Sequence, residues 1–124
     1  MSFKLMEFDK REKALEASRF RAGFKLDEED FTYIKSRGYV IIRAHTQDFI
    51  VKRLAPADPK NDGKQTPTKG HPAFKAQHAT ATCCRACLSK WYGIAKGRTL
   101  SSLEVKVVVD SIMRWIEKKS AAKS

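Results

Sequence analysis

The stretch SSLEVKVVVDSIMRWIEKK, residues 101–119, carries the clearest helix signal in the chain. Ser101 followed three residues later by Glu104 is the pattern of a capping box, in which each side chain satisfies a backbone amide of the other residue. Apolar side chains then recur at helical spacing, and Lys118 and Lys119 suit a helix C-terminus. The apolar residues are Val105, Val108, Ile112, Trp115 and Ile116. We predict a long helix here whose apolar face, with Trp115, forms the core.

Two helices are predicted upstream of residue 39. Residues 4–22 contain many helix formers with mixed charges, which predicts a helix that could break before Gly23. The next helix is better defined, because Asp27 can cap it, acidic residues fill its first turn and Gly38 stands where a C-terminal stop is expected.

Residues 39–54, YVIIRAHTQDFIVKRL, could open with a buried strand, but the pattern favours a helix. Its predicted apolar face holds Val40, Ala44, Val51 and Leu54, with polar side chains facing outward. Two prolines, Pro56 and Pro59, end the helix. The polar sequence DPKNDGKQTPTKG, residues 58–70, then predicts a long loop.

Two short helices are predicted on either side of a threonine-rich link. Pro72 can begin the first, AFKAQHA, and the second can start after Thr80 or Thr82 and end at Gly93. The chain is therefore predicted to be all-α, a single small domain over residues 1–124. We expect about five helices, one long polar loop at about 55–71 and a frayed tail at 120–124.

The amino-acid composition indicates a class of binding partner but does not indicate a reaction. The 25 Lys and Arg against 14 Asp and Glu give a formal charge of +11, so RNA, DNA or a ribonucleoprotein is the expected partner. A solvated surface and an acidic protein partner are the alternatives. The sequence has no apolar run of about 18 residues, and its N-terminus is too charged for a secretory signal, which predicts a cytoplasmic protein without membrane association.

All three cysteines and two of the three histidines fall within seventeen residues. An odd number of closely spaced cysteines favours reduced thiols over disulfides. Cys84 and Cys87 form a CxxC pair, and His71 and His78 could complete a tetrahedral Zn²⁺ site, with Cys83 left out. The alternative is that the cysteines have no functional role and that their half-buried thiols fill gaps between helices.

The same cluster also permits catalysis. If Thr82 caps the helix, Cys83 and Cys84 lie in its first turn, where the helix dipole and Arg85 would lower a thiol pKa. His78 could then serve as a base, in an enzyme that hydrolyses a phosphate-bearing substrate or uses a catalytic metal. No GxSxG, HExxH, P-loop or dinucleotide fingerprint occurs.

Our leading hypothesis is a small basic nucleic-acid-binding protein whose Cys/His segment shapes the long loop around zinc. Basic residues concentrate around that loop and the helix after the cysteines, and these would contact phosphates. They are Arg53, Lys60, Lys64, Lys69, Lys75, Arg85 and Lys90.

The chain contains the short motifs DGKQTP (62–67), GHP (70–72), AQHAT (76–80) and CCRxCL (83–88), followed by Trp91 and the closing MRWI (113–116). In these motifs it resembles a family that is found in bacteria, archaea and prophages and is catalogued as a domain of unknown function. The resemblance covers most of the chain and implies no activity. The prophage setting adds an inhibitor that binds an acidic protein as a further alternative. In that family the Trp is usually followed by His, whereas Tyr92 follows Trp91 here, so any role of a histidine there is lost.

Overall fold

The computed structural model describes residues 8–123, with side chains from residue 10 onward, and this part of the chain forms seven α-helices without a β-strand. They are α1 (Phe8–Ala17), α2 (Arg19–Ala22), α3 (Glu28–Arg37), α4 (Tyr39–Arg53), α5 (Pro72–Ala79), α6 (Arg85–Tyr92) and α7 (Ser102–Lys123). The all-α prediction is confirmed. Both short helices predicted around the threonine-rich link are present, and the count exceeds the expected five because AFKAQHA forms a helix of its own, α5, and the N-terminal helix divides into α1 and α2.

The long C-terminal helix α7 is the centre of the fold. It packs against α4 and α5, and its apolar face lies in the core with Val108, Ile112 and Ile116. The predicted capping box is present, since the Ser101 amide donates to Glu104 Oε1 at 2.9 Å and the Glu104 amide donates to Ser101 Oγ at 3.1 Å. The hydrogen bond from Arg98, which outweighs burial, lowers the pKa of Glu104 to about 2. The helix continues to Lys123, through most of the tail expected to fray.

Helix α4 buries a different face from the one predicted. Ile42, Thr46 and Ile50 are its buried residues, whereas Val40 is 82% exposed and Val51 is also exposed. The prediction of that face is wrong, although Leu54 is buried as expected. The physical reason is that α4 lies against both α3 and α7, and the positions facing both partners are set by packing rather than by the strongest apolar spacing.

The N-terminal helix ends at Ala17 and α2 begins at Arg19, so the helix breaks at Ser18, five residues before Gly23. Residues 4–7 of the predicted helix lie outside the described residues. Ion pairs fasten α1 to α7, with Glu12 joined to Arg114 and Lys118. Asp27 and Asp30 form a capping box for α3, which confirms the predicted start.

An ordered loop without helix or strand, residues 54–71, connects α4 to α5. Pro72 occupies the first turn of α5 as predicted. After α6, Gly93 adopts a left-handed conformation (φ 69°) and ends the helix, as predicted for that glycine. No helix within residues 8–123 is both long enough and apolar enough to cross a bilayer.

Burial predicts which residue of α7 contributes most to stability. Ile112 is fully buried, whereas Trp115 is only partly buried at the edge of the core. Ile112→Ala should lower the free energy of unfolding by about 2 to 5 kcal/mol, as truncation of a buried aliphatic side chain does. Leu103→Ala, at an exposed position of the same helix, is the matched control and should change it by less than about 0.5 kcal/mol. A smaller loss for Ile112→Ala than for Trp115→Ala in urea melts would contradict this picture of the core.

Candidate metal centre

The sulfur atoms of Cys83, Cys84 and Cys87 form one compact group. Cys84 Sγ lies 3.3 Å and Cys83 Sγ 3.7 Å from Cys87 Sγ, and all three sulfurs lie within 4.8 Å of one another. Tetrahedral zinc with Zn–S bonds of about 2.3 Å holds its sulfur ligands roughly 3.8 Å apart. The three cysteines can therefore hold a metal ion with only small adjustments.

The backbone around the cysteines differs from the predicted helix start. Helix α6 begins at Arg85, and Cys84 is its N-cap residue, with extended backbone and no side-chain capping hydrogen bond. The prediction that Cys83 and Cys84 lie in the first turn is wrong, because the chain needs a reversal after α5. Ala81 makes that reversal with a left-handed backbone (φ 59°).

The loop 54–71 and the end of α5 hold this reversal in place. Thr66 Oγ1 donates to the Cys83 carbonyl oxygen at 2.8 Å. Gln77 Nε2 donates to the Thr82 carbonyl oxygen at 2.9 Å. Since both side chains are buried, the backbone that carries the first cysteine is fixed from two sides.

A guanidinium from the other end of the chain contacts the sulfurs. Arg21 donates through Nη2 to Cys87 Sγ at 3.2 Å and through Nη1 to Cys83 Sγ at 3.6 Å, and Nη1 also donates to the His78 carbonyl oxygen at 2.7 Å. Burial alone would lower the pKa of Arg21, but its hydrogen bonds to the two cysteines outweigh that effect and raise it. A cation so placed favours negative charge on the sulfurs.

Burial has the opposite effect on Cys84. Desolvation raises the pKa of the Cys84 thiol, which its hydrogen bonds to backbone amides only partly offset. The expectation that the helix start would lower this pKa is therefore wrong, because the thiol is buried at the N-cap position. A low-pKa nucleophile at Cys84 is not favoured by this geometry.

The Arg85 side chain points away from the sulfurs and is only 1% exposed. Its Nη1 donates to the carbonyl oxygens of residues 54, 55 and 56, and its Nη2 donates to those of residues 95 and 98. Burial, followed by the charge of Arg98, lowers its pKa. This placement removes Arg85 both from the surface available to phosphate and from any pairing with a thiolate.

The two histidines of the predicted ligand set lie outside the group of three sulfurs. His71 caps α5, since its Nδ1 accepts from the Ala73 amide at 3.0 Å, and its Nε2 lies 3.2 Å from His45 Nδ1. His78 stacks on Phe24, and its Nε2 lies 3.1 Å from the carbonyl oxygens of Thr66 and Pro67. Both nitrogens of His71 are thus engaged away from the cysteines.

One family matches residues 9–117 of the chain, and its description is a domain of unknown function, DUF4186. The chain belongs to the DUF4186 family. The family resemblance seen in the sequence is thereby confirmed, and the description assigns no activity. No solved structure matches the chain.

Three of the motifs that carried the resemblance to the DUF4186 family, DGKQTP, AQHAT and CCRxCL, meet at the cysteine cluster. Asp62 of DGKQTP accepts from the Arg85 amide at 3.2 Å, and Thr66 binds the Cys83 carbonyl. Gln77 and His78 of AQHAT contact the same loop. Motifs that are separate in the sequence thus build one site in the fold.

The predicted phosphate contacts fall into two groups. Lys75 is engaged by Asp30 at 2.6 Å and Asp27 at 3.1 Å, and its side chain is only 13% exposed, so it is held within the fold. Arg85 of the set is buried, as described above, and the remaining five basic residues are exposed. They are Arg53, which lies over the rings of Phe49 and Phe74, Lys90, which lies over the ring of Trp91, and the loop residues Lys60, Lys64 and Lys69.

Sequence reasoning missed Arg21 and the inclusion of Cys83 in the group. Arg21 is 66 positions before Cys87, and a basic helix with no distinctive spacing gives no signal of such a contact. The adjacency of Cys83 to the CxxC pair was visible, but the bent backbone that turns all three sulfurs together was not.

The buried His71 predicts a pH effect on stability. Burial and, secondarily, the charge of His45 lower the pKa of His71 from 6.5 to about 4, against a raising effect of Asp30. Unfolding therefore takes up a proton between these values, and stability falls as pH falls from about 6.5 to 4. His71→Asn keeps an acceptor for the Ala73 amide but does not titrate. Between pH 6.5 and 4, the His71→Asn variant should therefore lose about 1 to 3 kcal/mol less unfolding free energy than the wild type, as measured by urea melts at several pH values.

The cost of His71→Asn at pH 7.5, where the histidine is neutral in both states, serves as the reference for this comparison. An equal pH dependence for the two proteins between pH 6.5 and 4 would show that His71 does not titrate as the structure requires.

Proposed function

We propose that this protein binds zinc through Cys83, Cys84 and Cys87, and that the ion stabilises the loop and helix starts around it. The observation that carries the proposal is the spacing of the three sulfurs, 3.3 and 3.7 Å along two edges and below 4.8 Å overall. Such a spacing brings three thiols closer together than gap-filling residues need to be, and it suits one tetrahedral ion.

Ligand chemistry supports zinc over hard cations. Thiolates are soft ligands that select zinc, copper(I) or iron–sulfur clusters, whereas magnesium and calcium require oxygen ligands. Three thiolates with one Zn²⁺ leave a net charge of −1, and the guanidinium of Arg21 is placed to offset it. The raised pKa of Cys84 does not oppose this, because a coordinated metal deprotonates a thiol outright.

The fourth ligand is proposed to be His78. A backbone carbonyl can only accept, so His78 Nε2 carries a proton toward Thr66 and Pro67, which in the neutral ring leaves the lone pair on Nδ1. Histidines that bind metals commonly donate their other ring N–H in this manner. The ring must move toward the sulfurs for Nδ1 to bind, and water is the fourth ligand if it does not.

A metal at this position would act on stability. The cysteine segment is already joined to the loop 54–71 through Thr66 and to α2 through Arg21, so an ion would tie three parts of the chain together. Since unfolded chains lack the preformed site, the binding free energy becomes folding free energy.

The direct test is native mass spectrometry and elemental analysis of protein purified without added metal, with Cys83→Ser, Cys84→Ser and Cys87→Ser prepared in parallel. Each substitution should abolish stoichiometric zinc and lower the melting temperature. Ser89→Ala, at an exposed position of α6, is the matched control and should keep one zinc per chain. The fourth ligand is then tested by replacing zinc with cobalt and comparing the absorption spectra of wild type and His78→Ala. A changed spectrum in the variant would support His78 as the ligand, and an unchanged spectrum would support water.

A metal-free wild type in which all three thiols stay protected from alkylation would contradict the proposal and leave buried, gap-filling cysteines as the better account. A metal-free wild type with one hyper-reactive thiol would instead favour a cysteine-dependent enzyme.

Nucleic-acid association is proposed as a second function of the same protein. The observation that favours it is the exposure of Lys60, Lys64 and Lys69 along one loop whose backbone is held by Thr66 and by Arg85. None of the three has an ion-pair partner among the described residues. With the formal charge of +11, such a loop suits phosphate contacts that release counterions.

If the loop lysines contact phosphates, affinity for a mixed RNA and DNA pool should fall steeply with salt in binding titrations. Replacing Lys60, Lys64 and Lys69 by Gln should then flatten the plot of log K against log salt by about one unit per true contact. The same change at Lys13, Lys25 and Lys35, which are exposed elsewhere, is the control and should flatten it less. Equal effects of the two triple variants would point to nonspecific charge, and no binding at low salt would favour an acidic protein partner.

A further inference from the structure

A cavity of about 190 Å³ lies where α1 and α2 meet the end of α5 and the middle of α7. We call it the α1–α7 cavity. It is separate from the cysteine cluster, although Arg21 is shared by both. A cavity of about 150 Å³ in another protein is large enough to hold benzene, so this space suits a molecule with one ring or a short chain.

The walls of the cavity are mostly apolar. Leu15 of α1, Phe24 of the link after α2 and Trp115 of α7 face the same space, with the Tyr92 ring beside them. Arg11 lies over that ring, with its guanidinium carbon 4.1 Å from the ring centroid. Flat aromatic surfaces of this kind bind a ring or an alkyl segment by excluding water from both.

Polar groups lie among these walls. The Tyr92 hydroxyl is buried and donates to the Thr80 carbonyl oxygen at 2.6 Å. The neighbouring Ser111 Oγ is also buried and lies beside the Tyr92 hydroxyl. Two hydroxyl groups therefore line a largely apolar wall, where either can form a hydrogen bond with a ligand.

The charge around the cavity is positive. Three of its lining residues are cations, and its two acids, Glu12 and Glu16, already pair with Arg114 and Lys118. The cations of the lining are Arg11, Arg21 and Lys119. Among the described residues, no carboxylate pairs with Arg21, whose donors go to a carbonyl and to two sulfurs. An anionic group would therefore be favoured at the mouth and a cationic one opposed.

We propose that the α1–α7 cavity binds a small organic anion, whose apolar body of about one ring packs between Phe24 and Trp115 and whose carboxylate or phosphate pairs with Arg11. Arg21 is shared with the cysteine cluster, where its donors go to a carbonyl and two sulfurs, so the anion does not rely on it. It adds small-molecule binding to a protein whose other features suggest a metal and a polyanion.

Three ring probes of equal shape test the charge requirement: benzoate, benzamide and benzamidine. They are titrated into full-length ¹⁵N-labelled protein as purified, and amide and indole signals are followed by NMR. The chain has two tryptophans, and only Trp115 lines the cavity, so Trp91 is an internal control. Benzoate should shift the Trp115 indole signal but not that of Trp91, and should bind at least about fivefold more tightly than benzamide, with benzamidine weakest.

Arg11→Gln should remove most of the preference for benzoate over benzamide, while Arg37→Gln, at an exposed position of α3, should keep it. The wild-type comparison stands even if Arg11→Gln fails to fold. Equal binding of the three probes, no shift of Trp115 at millimolar benzoate, or shifts confined to residues 83–87 would overturn the proposal. The last pattern would mean that benzoate coordinates the metal instead.

Discussion

The buried guanidinium of Arg85 is the interaction on which the arrangement of the loops depends. A charged group removed from water must be compensated, and here five carbonyl oxygens perform that role in place of a carboxylate. Three of them belong to residues 54–56 and two to residues 95 and 98, so both loops must be in position before the charge can be buried. The planar guanidinium of arginine directs several N–H donors toward separate carbonyl oxygens, whereas the ammonium of lysine is a single compact charge that cannot reach both loops in this way.

The location of Arg85 links that constraint to the cysteines. Arg85 is the first residue of α6, its amide donates to Asp62 of the loop, and its chain neighbour Cys84 is the N-cap. Once the side chain is anchored, the position of Cys84 is fixed, and Cys87 lies one helical turn later. Thr66 and Arg21 then fix Cys83 and the charge around the sulfurs. The sulfur cluster is thus a consequence of a buried charge that itself touches no sulfur.

Elements whose signals are local were predictable from the sequence. The capping boxes at Asp27 and Ser101, Pro72 at the start of α5 and the glycine stop after α6 depend on residues within a few positions of one another. The buried face of α4 was not predictable, because it depends on which helices pack against α4. In the motif CCRAC, Arg85 was expected to be a surface charge beside the thiols, but its side chain is buried. A short motif does not show which way a long side chain points, and it cannot reveal a contact with Arg21 from a distant helix.

The Arg85 guanidinium holds the two loops in place and, through them, the cysteine site. The most direct measurement compares Arg85→Lys with wild type, using urea melts for stability and a zinc competition titration for affinity. Arg19→Lys, a change of the same kind at an exposed arginine of α2, is the control. We expect Arg85→Lys to lose about 3 kcal/mol or more of unfolding free energy and to bind zinc more weakly, with the control much less affected. An Arg85→Lys protein that melts and binds zinc like the wild type would contradict the account.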